Sequence, residues 1–183
     1  MKTVRSLALL AAAVVLLFAS GAQAQPAAPY LPGYFSIMGG GYVPEGDLNS
    51  DNYDANTGFV GLLNFGYQVN PFFGVQTDLG YFETSGHNNL QVSAIPVAVS
   101  FKFGIPIAFF EPYVLGGGGI YFASTEYGPV NDNTIEFGAH AAGGLNLNFG
   151  KFQIGAEARY LWLEANGLNV DGLLVMGKIG SRF

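Results

Sequence analysis

Residues 152–163 read FQIGAEARYLWL, and their side chains alternate between two kinds of surface. Every second position from Phe152 to Trp162 is apolar, and Gln153, Glu157 and Arg159 lie among the positions between them. Because successive side chains of a β-strand point to opposite faces, the pattern predicts a strand with one apolar and one polar face. The apolar face would point inward in a soluble barrel and outward to lipid in a membrane barrel. The stretch therefore predicts a strand, but it does not decide whether the apolar face points into a soluble barrel or outward to lipid.

The same alternation recurs along most of the chain. Glycines lie inside every alternating segment, which disfavours a helical interpretation. The sequence therefore predicts an all-β protein with eight strands, at residues 33–43, 57–69, 73–83, 90–104, 112–124, 135–149, 152–163 and 171–183.

The connections between these segments alternate in character. After the first, third, fifth and seventh segments they are polar and mostly long. After the second, fourth and sixth they are Asn70-Pro71, the stretch GIPIAFFEP and Gly150-Lys151, of which the middle one is longer and more apolar than a tight turn. Short turns at one end and longer polar loops at the other are typical of an up-and-down barrel in an outer membrane.

The first residues predict export. Lys2 and Arg5 precede an apolar run from Leu7 to Phe18 and then small residues that end in Ala22-Gln23-Ala24, which is the pattern of a secretory signal peptide. We therefore expect a signal peptide at residues 1–24, a Pro-rich segment at 25–32 and the barrel at 33–183. The chain has no cysteine, so a disulfide framework is excluded.

The charge content excludes some partners and indicates an unusual surface. Charged residues make up 11% of the chain, whereas a soluble surface carries about 25% or more, so something other than water is expected to cover much of it. Two of the seven Lys and Arg residues belong to the signal peptide, which leaves five against 13 Asp and Glu. Nucleic-acid binding needs clustered Lys and Arg side chains, so no nucleic-acid partner is expected.

Residues 112–124, PYVLGGGGIYFAS, contain four consecutive glycines between bulky neighbours. Bulky apolar flanks disfavour a flexible linker and favour a strand with glycines at points of close approach. Tyr113 and Tyr121 share a face and are eight residues apart, which corresponds to a height of roughly 20 Å in a tilted strand. We therefore expect these tyrosines to mark the two aromatic girdles of a membrane barrel.

The chain ends in KIGSRF. With FGVQTDLGYF, AIPVAVSFKFG, EPYVLGGGGIYF and FGAHAAGGLNLNFGKFQIGAEARYLWLE, this ending resembles the small outer-membrane β-barrel family that includes the OmpA-type transmembrane domain. The resemblance implies an eight-stranded antiparallel up-and-down transmembrane β-barrel, monomeric, in the bacterial cell outer membrane. It also implies that Phe183 is a sorting signal for the barrel-assembly machinery. The predicted eighth strand ends the sequence, so cell-wall anchoring is not implied.

Polar residues on the inward faces are expected to form an interior network. Their charges could pair as a structural plug, which we favour because eight strands leave room only for side chains, or could exchange partners along a gated ion path. The predicted members are Gln76, Asp78, Lys102, His140, Glu157, Arg159 and Lys178. Toward the loop end an apolar set could pack together or accept a small hydrophobic molecule, and comprises Pro96, Ile120, Phe122, Leu161, Leu163 and Leu174.

No catalytic, cofactor or metal site is predicted. Outer-membrane lipid A deacylases resemble this fold and use a His with a Ser two residues later, but Ala142 follows His140 at that spacing. His87 lies near Ser85 without an acid beside it. The loop beginning at Asp47 starts like a calcium loop but has Asn52 where glycine is needed, so an EF-hand is excluded.

The four polar loops carry acids and no Lys or Arg. Outer-membrane lipids and lipopolysaccharide are expected partners, and divalent cations would have to bridge lipopolysaccharide to these acids. The expected role is structural, in membrane integrity, with loops available for adhesion or partner binding. A narrow channel or a receptor for small hydrophobic molecules is the first alternative, and a lipid-modifying enzyme is a less favoured one. The loop acids include Glu45, Asp47, Asp51, Asp54, Glu126, Asp132 and Glu164.

Overall fold

The computed structural model describes residues 31–45, 55–86, 90–127, 130–165 and 168–183. The predicted signal peptide and residues 25–30 lie outside this part of the chain. No helix in the described residues is long and apolar enough to cross a membrane. The strands are β1 (Gly33–Pro44), β2 (Gly58–Gln68), β3 (Phe73–Ser85), β4 (Leu90–Gly104), β5 (Phe110–Tyr127), β6 (Val130–Phe149), β7 (Phe152–Ala165), β8 (Leu168–Asn169) and β9 (Gly172–Arg182).

Eight of these strands form a closed antiparallel barrel. Each long strand pairs with its neighbour in the chain, and β1 pairs with β9 to close the ring. β8 has two residues, pairs only with β7 and belongs to the last loop. The predicted eight-stranded, antiparallel up-and-down barrel is confirmed.

The outer surface of the barrel is apolar, and most charged side chains of the strands point into the lumen. Phe101 is 74% exposed and Phe137 is 81% exposed, whereas Asp78 and Glu157 are each 2% exposed. Aromatic residues lie at both ends of the outer surface. On β7, Phe152 and Trp162 are ten residues apart, which is about 33 Å along a strand and about 25 Å in height at a tilt near 40°. The surface therefore matches a hydrocarbon layer bordered by aromatic girdles.

The predicted orientation of β5 is wrong. Tyr113 and Tyr121 face the lumen, with 4% and 3% exposure. The exposed side chains on β5 include Ile120 and Phe122, which the sequence interpretation had placed in the upper lumen. The two tyrosines therefore belong to no girdle. A buried tyrosine is stable when its hydroxyl has a partner, and Tyr113 has one in Glu157.

The glycine run lies within a continuous strand. Gly117 pairs with Ser100 and Gly119 pairs with Ala98 across the β4–β5 ladder. A Cβ atom at either glycine would collide with the backbone of β4. These two positions therefore need glycine because the neighbouring strand approaches closely, as the sequence predicts.

The apolar connection between β4 and β5 ends in a tight turn. Ile107 and Phe110 exchange two backbone hydrogen bonds, of 2.7 and 2.9 Å, so the turn residues are Ala108 and Phe109. Ala108 has a φ of 55°, which non-glycine residues adopt at a cost. β5 consequently starts at Phe110, earlier than predicted, and Glu111 becomes a strand residue.

Candidate functional site

The lumen contains all seven polar residues selected from the sequence. Each of them is at most 5% exposed. They come from five strands, because every second residue of a barrel strand points inward. The seven are Gln76 and Asp78 on β3, Lys102 on β4, His140 on β6, Glu157 and Arg159 on β7, and Lys178 on β9.

Arg159 is the centre of the largest group of charges. Its guanidinium lies 2.8 Å from an oxygen of Asp78 and 2.8 Å from an oxygen of Glu157. The second oxygen of Asp78 accepts a hydrogen bond of 2.6 Å from Asn64. One cation thus neutralises two buried carboxylates, which is the condition for burying charge at tolerable cost.

Tyr113 links this group to a second cation. Its hydroxyl donates to Glu157 at 2.7 Å and accepts from the Lys178 ammonium at 2.8 Å. The ammonium groups of Lys102 and Lys178 lie 4.5 and 4.6 Å from the centre of its ring. Both distances are within the range of a cation–π contact. The two like charges therefore share one aromatic ring, which gives each of them a favourable contact.

Glu111 organises the lumen at the short-turn end. One of its oxygens forms an ion pair with Lys102, and the other accepts from Asn148 at 3.0 Å. Arg182 lies 3.5 Å from the second oxygen and also donates to Gln68. The sequence interpretation missed Glu111 because it assigned this residue to the turn. Its even spacing from Tyr113 and Leu115 would have placed all three on one face.

His140 contacts Ser100 above the charged groups. The Ser100 Oγ and the His140 Nε2 are 2.7 Å apart. The His140 Nδ1 is buried and has no hydrogen-bond partner among the described residues. A hydroxyl beside an imidazole is two parts of a nucleophile–base arrangement, but no acid orients this ring. His87 lies outside the described residues.

The upper lumen is apolar and filled. Leu161, Leu163, Leu174 and Pro96 point inward, as predicted. The three leucines pack in a cluster that includes Met38, Tyr42, Val60, Phe82, Val92, Tyr121 and Met176.

The last loop covers this cluster. Val170 is 1% exposed and belongs to the cluster, although it lies beyond the barrel strands. The Tyr42 hydroxyl donates to the Val170 carbonyl at 2.8 Å, and the Val170 N–H donates to the carbonyl of Leu163 at 2.8 Å. These bonds hold the loop inward, so the loop end of the lumen is closed by packing.

The acidic rim is only partly described. Glu45 accepts a hydrogen bond of 2.9 Å from the Tyr160 hydroxyl, and Glu164 is exposed. Within the described residues, no group of three or more His, Asp or Glu side chains is placed to hold a metal ion. Asp47, Asp51 and Asp54 and the side chains of Glu126 and Asp132 lie outside that part of the chain.

Comparison with known proteins gives matches to membrane barrels. Residues 10–176 match the family model described as outer membrane protein beta-barrel domain. A search of curated protein sequences found no match.

Solved structures with the same fold come from several bacteria. Neisserial surface protein A is 15% identical, with a TM-score of 0.69 over 82% of this chain and 97% of that one. The attachment invasion locus protein Ail of Yersinia pestis is 21% identical, with a TM-score of 0.57 over 84% and 99%. The N-terminal barrel domain of Pseudomonas aeruginosa OprF is 14% identical, with a TM-score of 0.53 over 82% and 97%. At these identities the likeness concerns the fold alone.

Proposed function

Since the chain belongs to the outer membrane protein beta-barrel domain family and is located in the bacterial outer membrane, we propose that it is a closed, structural barrel whose outer rim is available for interactions. The filled lumen is the observation that carries this proposal. Ion pairs and hydrogen bonds occupy the short-turn half, and an apolar cluster beneath Val170 occupies the loop half. An eight-stranded barrel is narrow enough for side chains to fill its interior, so the lumen is a packed core and not a pore.

Single-channel recording in planar bilayers tests the closed lumen. We expect heat-modifiable migration on gels, which reports a folded barrel, together with no discrete conductance steps. The matched comparison is Val170→Gly, which removes the apolar side chain that closes the upper lumen. Steady conductance of the wild-type barrel would instead support the ion-path alternative, in which a carboxylate such as Glu157 changes its cationic partner between Arg159 and Lys178. Conductance that a small hydrophobic solute blocks would support the receptor alternative.

The outer rim offers a sheet edge for interaction. The β5–β6 ladder extends to the pair Tyr127–Val130, whereas the β6–β7 ladder ends at Gly138–Leu163 in the described part of the chain. β6 therefore extends eight residues beyond its last described pair with β7. An exposed edge pairs readily with an extended segment of another chain. Partner binding or adhesion at this edge is our expectation for the interactive part of the role.

Contact with lipopolysaccharide would need divalent cations. Of the five bases that follow residue 24, Lys102, Arg159, Lys178 and Arg182 contribute to the lumen and Lys151 lies in a short turn. None of these five Lys and Arg residues belongs to the loop end, so no Lys or Arg side chain there can pair with a phosphate of lipopolysaccharide. We expect binding of purified lipopolysaccharide to the refolded, monomeric barrel in Mg²⁺ and its loss in a chelator. Binding that is unchanged by chelation would contradict the bridging model.

We propose no catalytic role. The Ser100–His140 pair is the arrangement closest to an active site in the described residues. Both side chains are buried, and no acid contacts the His140 Nδ1. A lipid substrate would have to pass the apolar cluster or the charged groups to reach them. Unchanged lipid modification in a deletion strain is the expected result.

A further inference from the structure

The outward face of the barrel changes from apolar to polar along β3. Leu79 on this face is 48% exposed. Glu83 is paired with Phe59 of β2, and Ser85 is paired with Gln91 of β4. Leu79, Glu83 and Ser85 share one face because they are an even number of residues apart on the same strand. Polar side chains therefore replace aliphatic ones at the loop end of this wall.

A pocket lies within this polar part of the outward face. Its volume is about 390 Å³, which is within the range of about 300–1,000 Å³ for small-molecule sites. The Tyr81 hydroxyl donates to one Glu83 oxygen at 2.6 Å and so holds the carboxylate in place. The pocket combines an aromatic ring with hydroxyl, amide and carboxylate groups. Its lining includes Thr57, Phe59, Glu83, Ser85 and Gln91.

The pocket lies just above the hydrocarbon of the membrane. Phe73, at the short-turn end of β3, is ten residues from Glu83, or about 33 Å along a strand and about 25 Å in height at a tilt near 40°. That height equals the apolar band of an outer-membrane barrel, so Glu83 lies at its upper border and Ser85 lies beyond it. The longer loops of such barrels are extracellular, so this border belongs to the outer leaflet. The pocket therefore faces the headgroup layer of that leaflet.

A sugar ring fits the chemistry of this pocket. Its hydroxyl groups both donate and accept hydrogen bonds, which suits the Glu83 carboxylate as an acceptor and the Gln91 amide as both donor and acceptor. Its C–H face is apolar and can pack on the ring of Phe59, which is 56% exposed. The described lining contains no Lys or Arg, and a carboxylate repels a phosphate. The pocket therefore favours an uncharged sugar over a phosphate group.

The position of the pocket on the outward wall selects a sugar that is attached to a lipid. The pocket opens directly above the surface that acyl chains cover, and lipopolysaccharide carries its sugars directly above its acyl chains. We propose that the pocket binds a sugar ring of a neighbouring lipopolysaccharide molecule, with sugar hydroxyls donating to Glu83 and the ring packed on Phe59. This inference rests on the proposed contact with lipopolysaccharide and adds a contact that needs neither phosphate nor a divalent cation.

Two pairs of matched variants separate the pocket from the rest of the loop end. Ser85→Leu fills the pocket at an exposed position. Asn133→Leu is its control, because it also replaces an exposed, outward polar side chain, on β6 and away from the pocket. Glu83→Gln removes the carboxylate from the pocket. Glu164→Gln is its control, because it removes an exposed carboxylate at the loop end of β7.

Native mass spectrometry of the refolded protein, in a polyoxyethylene detergent that carries no sugar, tests the proposal. The probe is rough lipopolysaccharide from which the phosphates have been removed, with a chelator present. We expect the wild type and the two controls, Asn133→Leu and Glu164→Gln, to retain it. Ser85→Leu and Glu83→Gln should each bind it on the order of tenfold more weakly, equivalent to about 1.4 kcal/mol of binding free energy.

Intact lipopolysaccharide in a parallel measurement tests the cation bridges separately. Its phosphates are repelled by the acidic rim, so we expect the wild type to retain it in Mg²⁺ and to lose it in the chelator. Failure of this result with retention of the dephosphorylated form would contradict the bridging model alone. The closed lumen is tested by conductance, which neither lipid measurement affects.

Three results would overturn the proposal. Equal retention of the dephosphorylated form by Ser85→Leu and Asn133→Leu would mean that the pocket takes no sugar. Loss of that form from the wild type in the chelator would mean that cations alone hold the lipid. Equally strong binding of the lipid-free core oligosaccharide would show that the occupant is a soluble glycan. If Ser85→Leu fails to refold, Gln91→Leu applies the same test, because Gln91 is exposed and lines the same pocket.

Discussion

Replacing Arg159 with Met should strongly destabilise the barrel. The guanidinium is the shared partner of Asp78 and Glu157, at 2.8 Å from each, and its side chain is 5% exposed. Met keeps much of the volume and removes the charge. The substitution leaves two carboxylates in the lumen with neutral donors, Asn64 and Tyr113, and with Lys178 at 4.0 Å from Glu157.

The expected loss is about 4 kcal/mol. At 2.8 Å, each ion pair contributes a gross attraction of about 6 kcal/mol at an effective dielectric constant near 20. Removing the arginine also removes its own desolvation cost, so the net loss is smaller than the sum of the two pairs. Removing one partner of a buried ion pair typically costs about 3–5 kcal/mol. The remaining hydrogen bonds from Asn64 and Tyr113 keep the value within that range.

Urea unfolding of the refolded protein in lipid vesicles measures this loss. With a slope of about 2 kcal/mol per molar urea, 4 kcal/mol lowers the unfolding midpoint by about 2 M. The double variant Asp78→Asn, Arg159→Met should recover more than half of the loss, because it keeps Glu157 beside Lys178 and removes the carboxylate that would otherwise be left without a cation. Lys151→Met, at an exposed turn, should change stability by less than about 0.5 kcal/mol. A midpoint for Arg159→Met within about 0.5 M of the wild type would refute the reasoning.

Other predictions concern a turn, the closed loop end and the last residue. Ala108→Gly should stabilise the barrel by about 0.5–1 kcal/mol because glycine adopts the φ of 55° without strain; an unchanged or lower urea midpoint would contradict this. Tyr42→Phe removes the bond to the Val170 carbonyl and should cost about 1–2 kcal/mol while speeding hydrogen exchange at the Val170 amide; unaltered exchange would mean that other contacts hold the loop. Phe183→Ser should reduce assembly in cells while refolding in vitro changes little, because the ring is 65% exposed; equal defects in both assays would indicate a packing role rather than a sorting role.

Alternation predicts the faces of a strand only where its residues differ clearly in polarity. On β4 and β7, aromatic and aliphatic residues alternate with lysine, glutamate or arginine, and the predicted faces are those in the structure. On β5 the run of glycines carries no polarity signal. Tyr113 is compatible with either face, since a tyrosine ring suits lipid and its hydroxyl suits a polar lumen. The orientation of β5 was therefore wrong although its existence was predicted.

The partners within the lumen depend on register, which spacing along one strand does not provide. The β5 register pairs Leu115 with Lys102 and Gly104 with Tyr113, and so sets Glu111 near the Lys102 ammonium. The predicted start of β5 at residue 112 excluded Glu111 from the network. The outward glycines Gly39, Gly61 and Gly177 are likewise adjacent only because three separate strands bring them to the same level, which no spacing along one strand predicts.

The bonds that close the ring also determine when the fold can be completed. Gly33 and Phe183 exchange two backbone hydrogen bonds, of 2.9 and 2.8 Å, and the two residues are 150 positions apart (183 − 33). Bringing together chain ends at that separation costs about 4 kcal/mol of loop entropy beyond a constant, against about 1.5 kcal/mol for a hairpin of five residues. The hairpins can therefore form early, whereas the junction of β1 and β9 forms only once the residues of β9 are available. Until then both of these strands keep open edges, and such edges promote aggregation.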